Sequence, residues 1–439
     1  MKLSGWGRYP LIDAKINSPN SIEKLLKAIS STNAIARGNG RSYGDSAISK
    51  NNTISMKKFN RILNFNDKTG LLVTESGVLL SDIIETFLPR GWFPKVTPGS
   101  KFVTVGGMVA CDVHGKNHHK EGSFGSYIEW IDVITSNGDI KRCSKDNNSD
   151  FFNWTIGGMG LTGVILNIAF YLRPVKTSWI KQKIISAKNF KNVIEIFEKN
   201  LDTTYSVAWI DCLSKGNKLG RSLVILGEHA EVSDLNLKIK NKPLETKVKK
   251  KIRIPFNFPS FILNSFTMKI FNSIYYFFGK KNVDEKLIDY DTFFYPLDHL
   301  LDWNKIYGKR GFAQFQCVIP LKNALPGIGE LLDTISQSKS NSFLTVLKRF
   351  GKQDSNISFP MEGYTLTLDF PINKKNIKLM KQLDEITLKH KGRFYLAKDS
   401  RVDKNIFKLS DSRLKKFSEF RSSDMKKVFS SSQSERLDL

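Results

Sequence analysis

The chain has 439 residues, of which 40% are hydrophobic and 25% charged, and its formal net charge is +26. This composition excludes a wholly disordered chain, and the length allows one large domain or several. Four cysteines lie far apart without a C-x-x-C pair, which argues against a disulfide scaffold or a structural zinc site and favours a reducing compartment. The positive charge favours anionic partners, and a lysine-rich proteome explains it equally well.

The first predicted elements are a helix, a strand and a glycine-rich loop. Asn20 and Glu23 form an N-cap and N3 pair, and apolar residues follow at helical spacing from Ile22. A strand over 33–36 runs into the loop 37–45, whose glycines permit tight turns and let backbone N–H groups approach a phosphate. The loop lacks the Gly-Lys-Ser/Thr of a P-loop and the following helix of a Rossmann motif, so taken alone it indicates a plain turn.

Further elements complete an α+β region up to residue 175. A helix is expected over 81–88. Strands over 127–135 and 139–143 flank Asn137-Gly138, a strong signal for a type I′ hairpin. The region lacks the regular strand–helix alternation of a doubly wound sheet.

The composition changes after Pro174. A basic run at 247–253 precedes an apolar, aromatic-rich run from 254 to 278. A bilayer span takes about 20 mainly apolar residues, but prolines and asparagines in this run argue against a regular span. Two interpretations stay open: a helix or loop in the membrane interface, held by its basic flank, or a lid over the protein's own pocket.

Two more clusters of small residues change the interpretation of the first loop. They lie at 104–115 and 154–165. The first would let backbone pass close to a flat ligand, and the second would place a strand beside the same ligand. Three such loops in one region suit an extended dinucleotide.

The three glycine clusters carry specific motifs. These are Arg-Gly-x-Gly-Arg-Ser-Tyr-Gly-Asp from Arg37, Val-Gly-Gly-x-x-Ala-Cys-Asp-x-His-Gly-Lys-Asn-His-His from Val105, and Gly-Leu-Thr-Gly from Gly160. Together they resemble the FAD-linked oxidases of the vanillyl-alcohol oxidase superfamily, above all the branch that oxidises decaprenylphosphoryl-linked ribose. The resemblance continues through 294–298, 303–304, 314–316, 348–351 and 397–401, and so covers nearly the whole chain.

The resemblance implies an α+β, two-domain PCMH-type FAD-binding fold with a mixed α/β substrate (cap) domain. We expect residues 1–175 to form the FAD-binding domain and residues 176–389 the substrate domain. The latter would contain the basic and apolar insertion at 240–281. Residues 390–439 would return to the FAD-binding domain.

By the same resemblance, one set of residues would hold the FAD. They are Ala36, Arg37, Gly38, Asn39, Gly40, Arg41, Ser42, Tyr43, Gly44, Asp45, Ser46, Gly99, Thr104, Val105, Gly106, Gly107, Cys111, Asp112, Val113, His114, Ile165 and Tyr395. Many relatives tether the flavin through a His just after the glycines of the first loop, and this chain has Asp45 there. We therefore predict non-covalent FAD.

Oxidation needs a hydride acceptor, which the flavin would supply, and a group that takes the hydroxyl proton. The resemblance makes Lys398 this base or a hydrogen-bond donor to the substrate, since a desolvated lysine has a pKa lowered toward neutrality. Its spacing alone favours a solvated surface charge. His114 and Tyr43 complete the predicted catalytic set. His114, His118 and His119 lack a regular metal-ligand pattern, so no metal is predicted.

The predicted substrate residues are Lys116, Trp209, Phe294, Gln314, Gln316, Lys348, Thr365, Thr367 and Lys398. Gln314 and Gln316, two apart on a strand, point to the same face and could hold sugar hydroxyls, and Lys348 could hold a phosphate. Phe294 stands where that branch has Tyr, and Thr365 and Thr367 stand where it has Asn and Cys. These departures leave the sugar open, and Thr367 predicts insensitivity to inhibitors that bond a thiol there.

The predicted function is FAD-dependent oxidation of the C2 hydroxyl of a polyprenyl-phosphate-linked pentose to a keto sugar, the first half of an epimerisation in cell-envelope glycan biosynthesis. An NAD(P)H-dependent short-chain reductase would complete it. The alternatives are a soluble sugar or aldonolactone oxidase with the same flavin cradle, and a non-catalytic basic protein that binds nucleic acid or membrane. No nucleic-acid motif stands out, so no nucleic-acid partner is predicted. Since no signal peptide opens the chain, we expect a cytoplasmic protein, peripheral at the inner face of the plasma membrane.

Overall fold

The computed structural model describes residues 1–31, 33–246, 249–259, 264–281, 284–338, 340, 342, 344–424 and 428–439. Lys247 and Val248 of the basic run and residues 260–263 of the apolar run lie outside the described residues. The fold is α+β, as predicted. Its first part combines small sheets with short helices, and its second part is a large antiparallel sheet covered by helices.

The helices and strands of the first part alternate irregularly. Its strands are β1 (Lys2–Leu3), β2 (Ile12–Asp13), β3 (Ile16–Asn17), β4 (Ile35–Arg37), β5 (Thr53–Ser55), β6 (Ile62–Asn66), β7 (Leu71–Glu75), β8 (Trp92–Pro94), β9 (Ile128–Ile134), β10 (Ile140–Ser144) and β11 (Val164–Pro174). Its helices are α1 (Ile22–Ser31), α2 (Leu80–Phe87), α3 (Val105–Ala110), α4 (His118–Glu121) and α5 (Ser149–Thr155).

The second part contains the longer elements. Its strands are β12 (Trp179–Ala187), β13 (Tyr205–Ile210), β14 (Ser222–His229), β15 (Ile252–Arg253), β16 (Lys286–Asp289), β17 (Leu300–Leu301), β18 (Phe312–Pro320), β19 (Thr345–Phe350), β20 (Gly363–Pro371) and β21 (Arg393–Phe394). Its helices are α6 (Phe190–Lys199), α7 (Leu237–Lys240), α8 (Ser265–Lys281), α9 (Tyr290–Phe294), α10 (Leu321–Ser338), α11 (Lys374–Lys389), α12 (Lys404–Ser410), α13 (Leu414–Asp424) and α14 (Ser432–Leu437).

Two sheets organise the first part. β3, β5 and β4 pair in parallel, and an antiparallel sheet has the order β10-β9-β11-β7-β6, with β8 also paired to β11. β11 lies at the centre of the larger sheet because most of its eleven residues are apolar and buried. The loops between these strands carry the glycine clusters.

Two predicted details of the first part are wrong. Because α1 begins at Ile22, its N-cap is Ser21, whose Oγ accepts from the Lys24 N–H at 3.3 Å, and not Asn20. The hairpin of β9 and β10 forms as predicted, but its turn is not type I′. That turn needs a positive φ at both central residues, and Gly138 has one (88°) whereas Asn137 does not.

The second part is built on an eight-stranded antiparallel sheet in the order β16-β12-β14-β13-β19-β20-β18-β21. Side chains alternate between its faces. Leu347, Leu366 and Leu368 are fully buried in the core that includes residues of α10 and α11. The intervening residues face the opposite side, towards the loops of the first part.

The insertion at 240–281 contributes α8, a helix of 17 residues that contacts β12 and β14. Pro255 and Pro259 precede it, which is why they do not interrupt it. Within the described ranges, no helix is both long enough and apolar enough to cross a bilayer.

The predicted domain boundary at residue 175 falls in the connection between β11 and β12. At the other end of the chain, Arg436 of α14 pairs with Asp45 at 3.0 Å, so the last helix contacts the first glycine loop. The exact domain bounds stay a prediction.

Candidate flavin-binding and active site

A cavity lies between the glycine loops of the first part and one face of the eight-stranded sheet. Residues from the segments 36–47, 98–114 and 159–165, though not every residue of them, contribute one side. β18, β19, β20 and residues 395–398 contribute the other. The three glycine clusters therefore meet at one site, as an extended ligand requires.

Backbone approaches this cavity closely at two glycines. Gly40 has a φ of 65°, which favours glycine and turns the first loop. At Gly107, an added Cβ would meet the Thr104 hydroxyl at 3.1 Å and no other described neighbour within 4 Å, so the missing side chain leaves space beside the cavity. Thr104 fixes this turn because its side chain caps α3 by accepting from the Gly107 N–H.

Four buried polar atoms of the lining residues have no hydrogen-bond partner within the described part of the chain: Arg41 Nε, Ser76 Oγ, His114 Nδ1 and Gln314 Oε1. The Arg41 guanidinium is nonetheless fixed, since it lies 4.1 Å from the centroid of the Trp6 ring. Buried polar groups without partners cost free energy, so these atoms suit a bound ligand. A guanidinium beside glycine backbone suits a diphosphate, and the residues present therefore fit FAD.

Most of the predicted cofactor residues line the cavity. They are Ala36, Gly38, Asn39, Gly40, Arg41, Ser42, Tyr43, Ser46, Gly99, Thr104, Gly106, Gly107, Cys111, Val113, His114, Ile165 and Tyr395. Arg37, Gly44, Asp45, Val105 and Asp112 are not among the lining residues. Asp45 instead pairs with Arg436, and Asp112 accepts from Ser123 and the Gly125 N–H, each at 2.7 Å. Asp45 and Asp112 therefore contact other protein groups and do not face the cavity.

One face of the large sheet supplies the polar wall. Gln316 lies opposite Thr367, and Thr367 lies opposite Val346 on the next strand, so the three side chains share a face. Gln314 and Lys348 follow on the same face at two-residue intervals, and all five line the cavity. The two glutamines thus face the same side, as their spacing predicts.

Two half-buried lysines, Lys348 and Lys398, bring positive charge to this wall. The Lys398 ammonium lies 3.6 Å from the centroid of the Tyr43 ring, and neither Lys398 nor Lys348 forms an ion pair with a described residue. Burial lowers the pKa of Lys348 to about 8. Burial also lowers the pKa of Lys398, and the charge of Asp369 partly offsets this effect. A lysine in this environment can exchange its proton near neutral pH, as a general base requires.

Asp369 belongs to this site, and the sequence analysis missed it. It is fully buried behind Gln314, whose amide donates to Oδ1, and the Tyr307 hydroxyl donates to Oδ2 at 3.1 Å. Burial raises the pKa of Asp369, while the Gln314 amide and the charge of Lys398 lower it in part. Asp369 therefore orients Gln314 and affects the charge state of Lys398. Its place on β20, two residues after Thr367, is the signal that could have found it.

His114 lies where the two walls meet. Its Nε2 is 3.3 Å from Gln316 Nε2, and its ring centroid is 5.1 Å from that of Tyr395. Burial, followed by the charge of Lys348, lowers the pKa of His114 well below its usual value. The ring is therefore neutral at neutral pH and offers one donor and one acceptor.

The two histidines that follow contact protein groups. His118 Nε2 lies 2.7 Å from Gln353 Oε1, and His119 Nε2 lies 2.7 Å from the Thr203 carbonyl. Burial lowers the pKa of His118 to about 4. Both rings are thus held by the surrounding protein.

Four predicted substrate residues are not among those that line the cavity: Lys116, Trp209, Phe294 and Thr365. The Lys116 ammonium donates to the Phe293 carbonyl, and burial, then the charge of Lys348, lowers its pKa to about 7. Phe294 is buried, and its ring packs 5.2 Å from that of Phe93. Thr365 accepts from the Gln316 amide at 3.2 Å and so positions it from behind.

Trp209 faces α8. Its ring lies 4.8 Å, between centroids, from that of Tyr275. No described residue of 254–281 lines the cavity, so α8 does not form the lid that the sequence left open. The helix therefore lies next to Trp209, one of the predicted substrate residues, and outside the cavity lining.

This arrangement defines a class of protein. Glycine backbone and a guanidinium on one side of the cavity suit a dinucleotide, and glutamines and half-buried lysines on the other suit a polar substrate. The molecule is thus a cofactor-dependent enzyme in which the two ligands would lie side by side.

Comparisons with known proteins give the family. A family model described as "FAD binding domain" matches residues 10–144. The whole chain is 34% identical to decaprenylphosphoryl-beta-D-ribose oxidase from Mycolicibacterium smegmatis, of which 97% is covered. It is also 26% identical to L-gulonolactone oxidase from Bos taurus, over 40% of this chain and 41% of that protein. The chain belongs to the FAD-linked, PCMH-type oxidases of the vanillyl-alcohol oxidase superfamily, and it is an FAD-dependent oxidoreductase.

Proposed function

We propose that the enzyme oxidises the C2 hydroxyl of a polyprenyl-phosphate-linked pentose to a keto group, in the synthesis of a cell-envelope glycan. The observation that carries this proposal is that Gln314 and Gln316 share one wall with Lys348 and Lys398, which form no ion pair with a described residue. Amides suit sugar hydroxyls, and half-buried cations suit a phosphate. The similarity to a full-length relative named for such a substrate supports it.

We assign each part of the proposed reaction to a residue of the chain. Bound FAD supplies the hydride acceptor. Lys398 Nζ, in its neutral form, would take the proton of the hydroxyl, and the Tyr43 ring holds Nζ in position. Neutral His114 and the Gln316 amide would orient the sugar, and Lys348 would balance the charge of the phosphate.

We further propose that the FAD is bound non-covalently. Asp45 stands where many relatives have a tethering His, and its carboxylate is engaged with Arg436. Cys111 lines the cavity, but burial raises the pKa of its thiol to about 12, so the reactive thiolate is scarce. Acid precipitation should leave the flavin in the supernatant, and flavin in the pellet would contradict the proposal.

The surface of α8 supports peripheral contact with a membrane. Met268 and Asn272 are buried, whereas Phe266, Ile270, Ile274 and Phe277 lie on another face of the helix and are 72, 46, 51 and 55% exposed. An exposed apolar stripe of this kind marks an interaction surface. Lys280 and Lys281 at the end of the helix would attract anionic lipids.

A membrane position agrees with the proposed substrate, which is anchored by its prenyl chain. We place the enzyme in the cytoplasm, peripherally at the inner face of the plasma membrane. The keto sugar would be consumed by an NAD(P)H-dependent short-chain reductase, which returns the hydroxyl with inverted configuration. We propose no nucleic-acid partner.

A comparison of turnover among three substrates tests the proposal directly. Turnover of polyprenylphosphoryl ribose would be compared with that of free ribose and of an aldonolactone, with a dye as the final electron acceptor. The proposal expects the enzyme to turn over the lipid-linked sugar and not free ribose. In Lys348→Gln, the difference in turnover between these two substrates should be smaller. Equal turnover of free ribose, or preferred turnover of the lactone, would instead select a soluble sugar or aldonolactone oxidase.

A further inference from the structure

A second cleft, of about 640 Å³, lies outside the catalytic cavity. Its described lining comes from residues 257–259, the beginning of α8, residues 307–310, Ser340 and the segment 371–376. The side chains of Asn373 and Asn376 both donate to the Pro371 carbonyl, the latter at 2.8 Å, which fixes the beginning of α11 at its rim. The proposed oxidation does not use this cleft.

The charged side chains that line the cleft are all positive. Lys309, Arg310 and Lys375 line it, and none of the three forms an ion pair with a described residue. The described lining contains no aspartate or glutamate. The first residues of α8 and α11, helices of 17 and 16 residues, also line it, and helix amino termini carry partial positive charge. The cleft therefore favours an anion.

A buried hydroxyl gives independent support. Ser340 is 2% exposed and lines the cleft, yet its Oγ has no hydrogen-bond partner within the described residues. Buried polar groups without a partner are rare in folded proteins. A ligand oxygen in the cleft would satisfy this hydroxyl.

We propose that this cleft binds a phosphate group, presented by the headgroup of an anionic membrane phospholipid. Three cations, helix amino termini and a hydroxyl donor are the groups that bind phosphate in proteins. Phe266, the residue after the cleft-lining Ser265, is 72% exposed and starts the apolar stripe of α8. Headgroup and acyl chains would thus meet adjacent parts of the same surface. The inference extends the proposed membrane contact and does not depend on which sugar is oxidised.

The test measures binding of the FAD-loaded enzyme to vesicles of phosphatidylcholine with and without phosphatidylglycerol, by co-sedimentation. The triple variant Lys309→Gln/Arg310→Gln/Lys375→Gln should bind the anionic vesicles on the order of 100-fold more weakly, at about fivefold for each cation. Ser340→Ala, which leaves the charge unchanged, should bind about tenfold more weakly because a hydrogen bond to a charged group is lost.

A matched control separates the cleft from general electrostatics. Lys57, Lys58 and Lys68 are exposed lysines of the first part, and Lys57→Gln/Lys58→Gln/Lys68→Gln removes the same charge. The proposal expects this variant to keep most of its binding. Equal loss in the two triple variants, unchanged binding by Ser340→Ala, or no preference of the wild type for anionic vesicles would overturn it.

Competition identifies the source of the phosphate. If millimolar inorganic phosphate displaces the enzyme from vesicles in the wild type but not in Ser340→Ala, the cleft accepts a soluble phosphate as well as a headgroup. If it does not displace the enzyme, the site is specific for the lipid surface. The vesicles contain no sugar substrate, so vesicle binding with no oxidation of polyprenylphosphoryl ribose would refute the proposed function and leave the cleft intact.

Discussion

Lys398→Ala is the variant that bears most directly on the proposed chemistry. The side chain is half-buried, its ammonium lies 3.6 Å from the Tyr43 ring centroid, and it forms no ion pair with any residue that the structure describes. Its removal deletes the group assigned to accept the hydroxyl proton. It leaves the glycine loops that form the opposite side of the cavity unchanged.

The size of the expected effect follows from its role. A positioned general base contributes about 10²- to 10⁴-fold to a rate, which corresponds to roughly 3 to 5 kcal/mol. Burial lowers the pKa of Lys398, so near neutral pH a fraction of the enzyme molecules carries Lys398 as the neutral amine. Because activity requires this neutral form, wild-type turnover should fall as the pH drops below the pKa of Lys398. The residual turnover of the variant should lack this acidic limb.

The assay is single-turnover reduction of bound flavin across pH, after flavin content has been matched between proteins. Lys404→Ala is the control, since Lys404 is an exposed lysine of α12 near the same segment. It should behave as wild type. Turnover by Lys398→Ala within a factor of about three of wild type, with FAD bound and the acidic limb retained, would remove Lys398 from the mechanism.

Three further variants test separate parts of the site. Asp369→Asn removes the charge that raises the pKa of Lys398, so the acidic limb of the pH profile should move to lower pH, by up to about one unit; a shift to higher pH would contradict this. Gly107→Val fills space beside the cavity and should weaken FAD binding at least about tenfold in a fluorescence titration. Gly329→Val is its control and should not weaken FAD binding, because an added Cβ at Gly329 meets no described neighbour within 4 Å and Gly329 does not line the cavity. Thr367→Cys should become labelled by a small thiol reagent, and bound substrate should prevent this labelling. Cys111 should stay unlabelled because burial raises the pKa of its thiol to about 12. Labelling of the wild type at this cavity would refute the argument.

The local elements of the first part were predictable from sequence. Apolar spacing predicted the presence of α1, and the predicted bounds of α2, β9 and β10 each lie within one residue of those in the structure. The errors lie at their ends, because the N-cap and the turn type depend on exact φ values that residue preferences do not fix. Strand order in the eight-stranded sheet was beyond reach, since it follows from pairing between strands far apart in the chain.

The candidate site shows the same division. Each glycine motif lies within a single loop, and the three motifs predicted most of the residues on the loop side of the cavity. The two-residue spacing of Gln314 and Gln316 predicted that they share one face of the sheet. No motif or spacing in the sequence predicted the contacts between segments that are far apart in the chain. Trp6 packs under Arg41, and Asp298, which accepts from the Lys101 N–H at 2.7 Å, joins the wall from the second part. These residues come together through the tertiary fold alone.

The membrane question shows why periodicity has to be combined with burial. From the sequence, the apolar run could have been a lid or an interfacial segment. In the structure, the residues of α8 that contact the sheet include a polar one, Asn272, while several large apolar residues are exposed. An ordinary surface helix buries its apolar face, so α8 departs from the usual distribution.

Anaerobic reduction of the flavin is the most direct test of the central claim. The purified enzyme would be mixed with polyprenylphosphoryl ribose without oxygen, and the flavin absorbance near 450 nm would be followed. The account predicts a flavin spectrum that bleaches with this substrate. A flavin that stays oxidised with the lipid-linked sugar, in protein that bleaches with a free sugar or lactone, would contradict it.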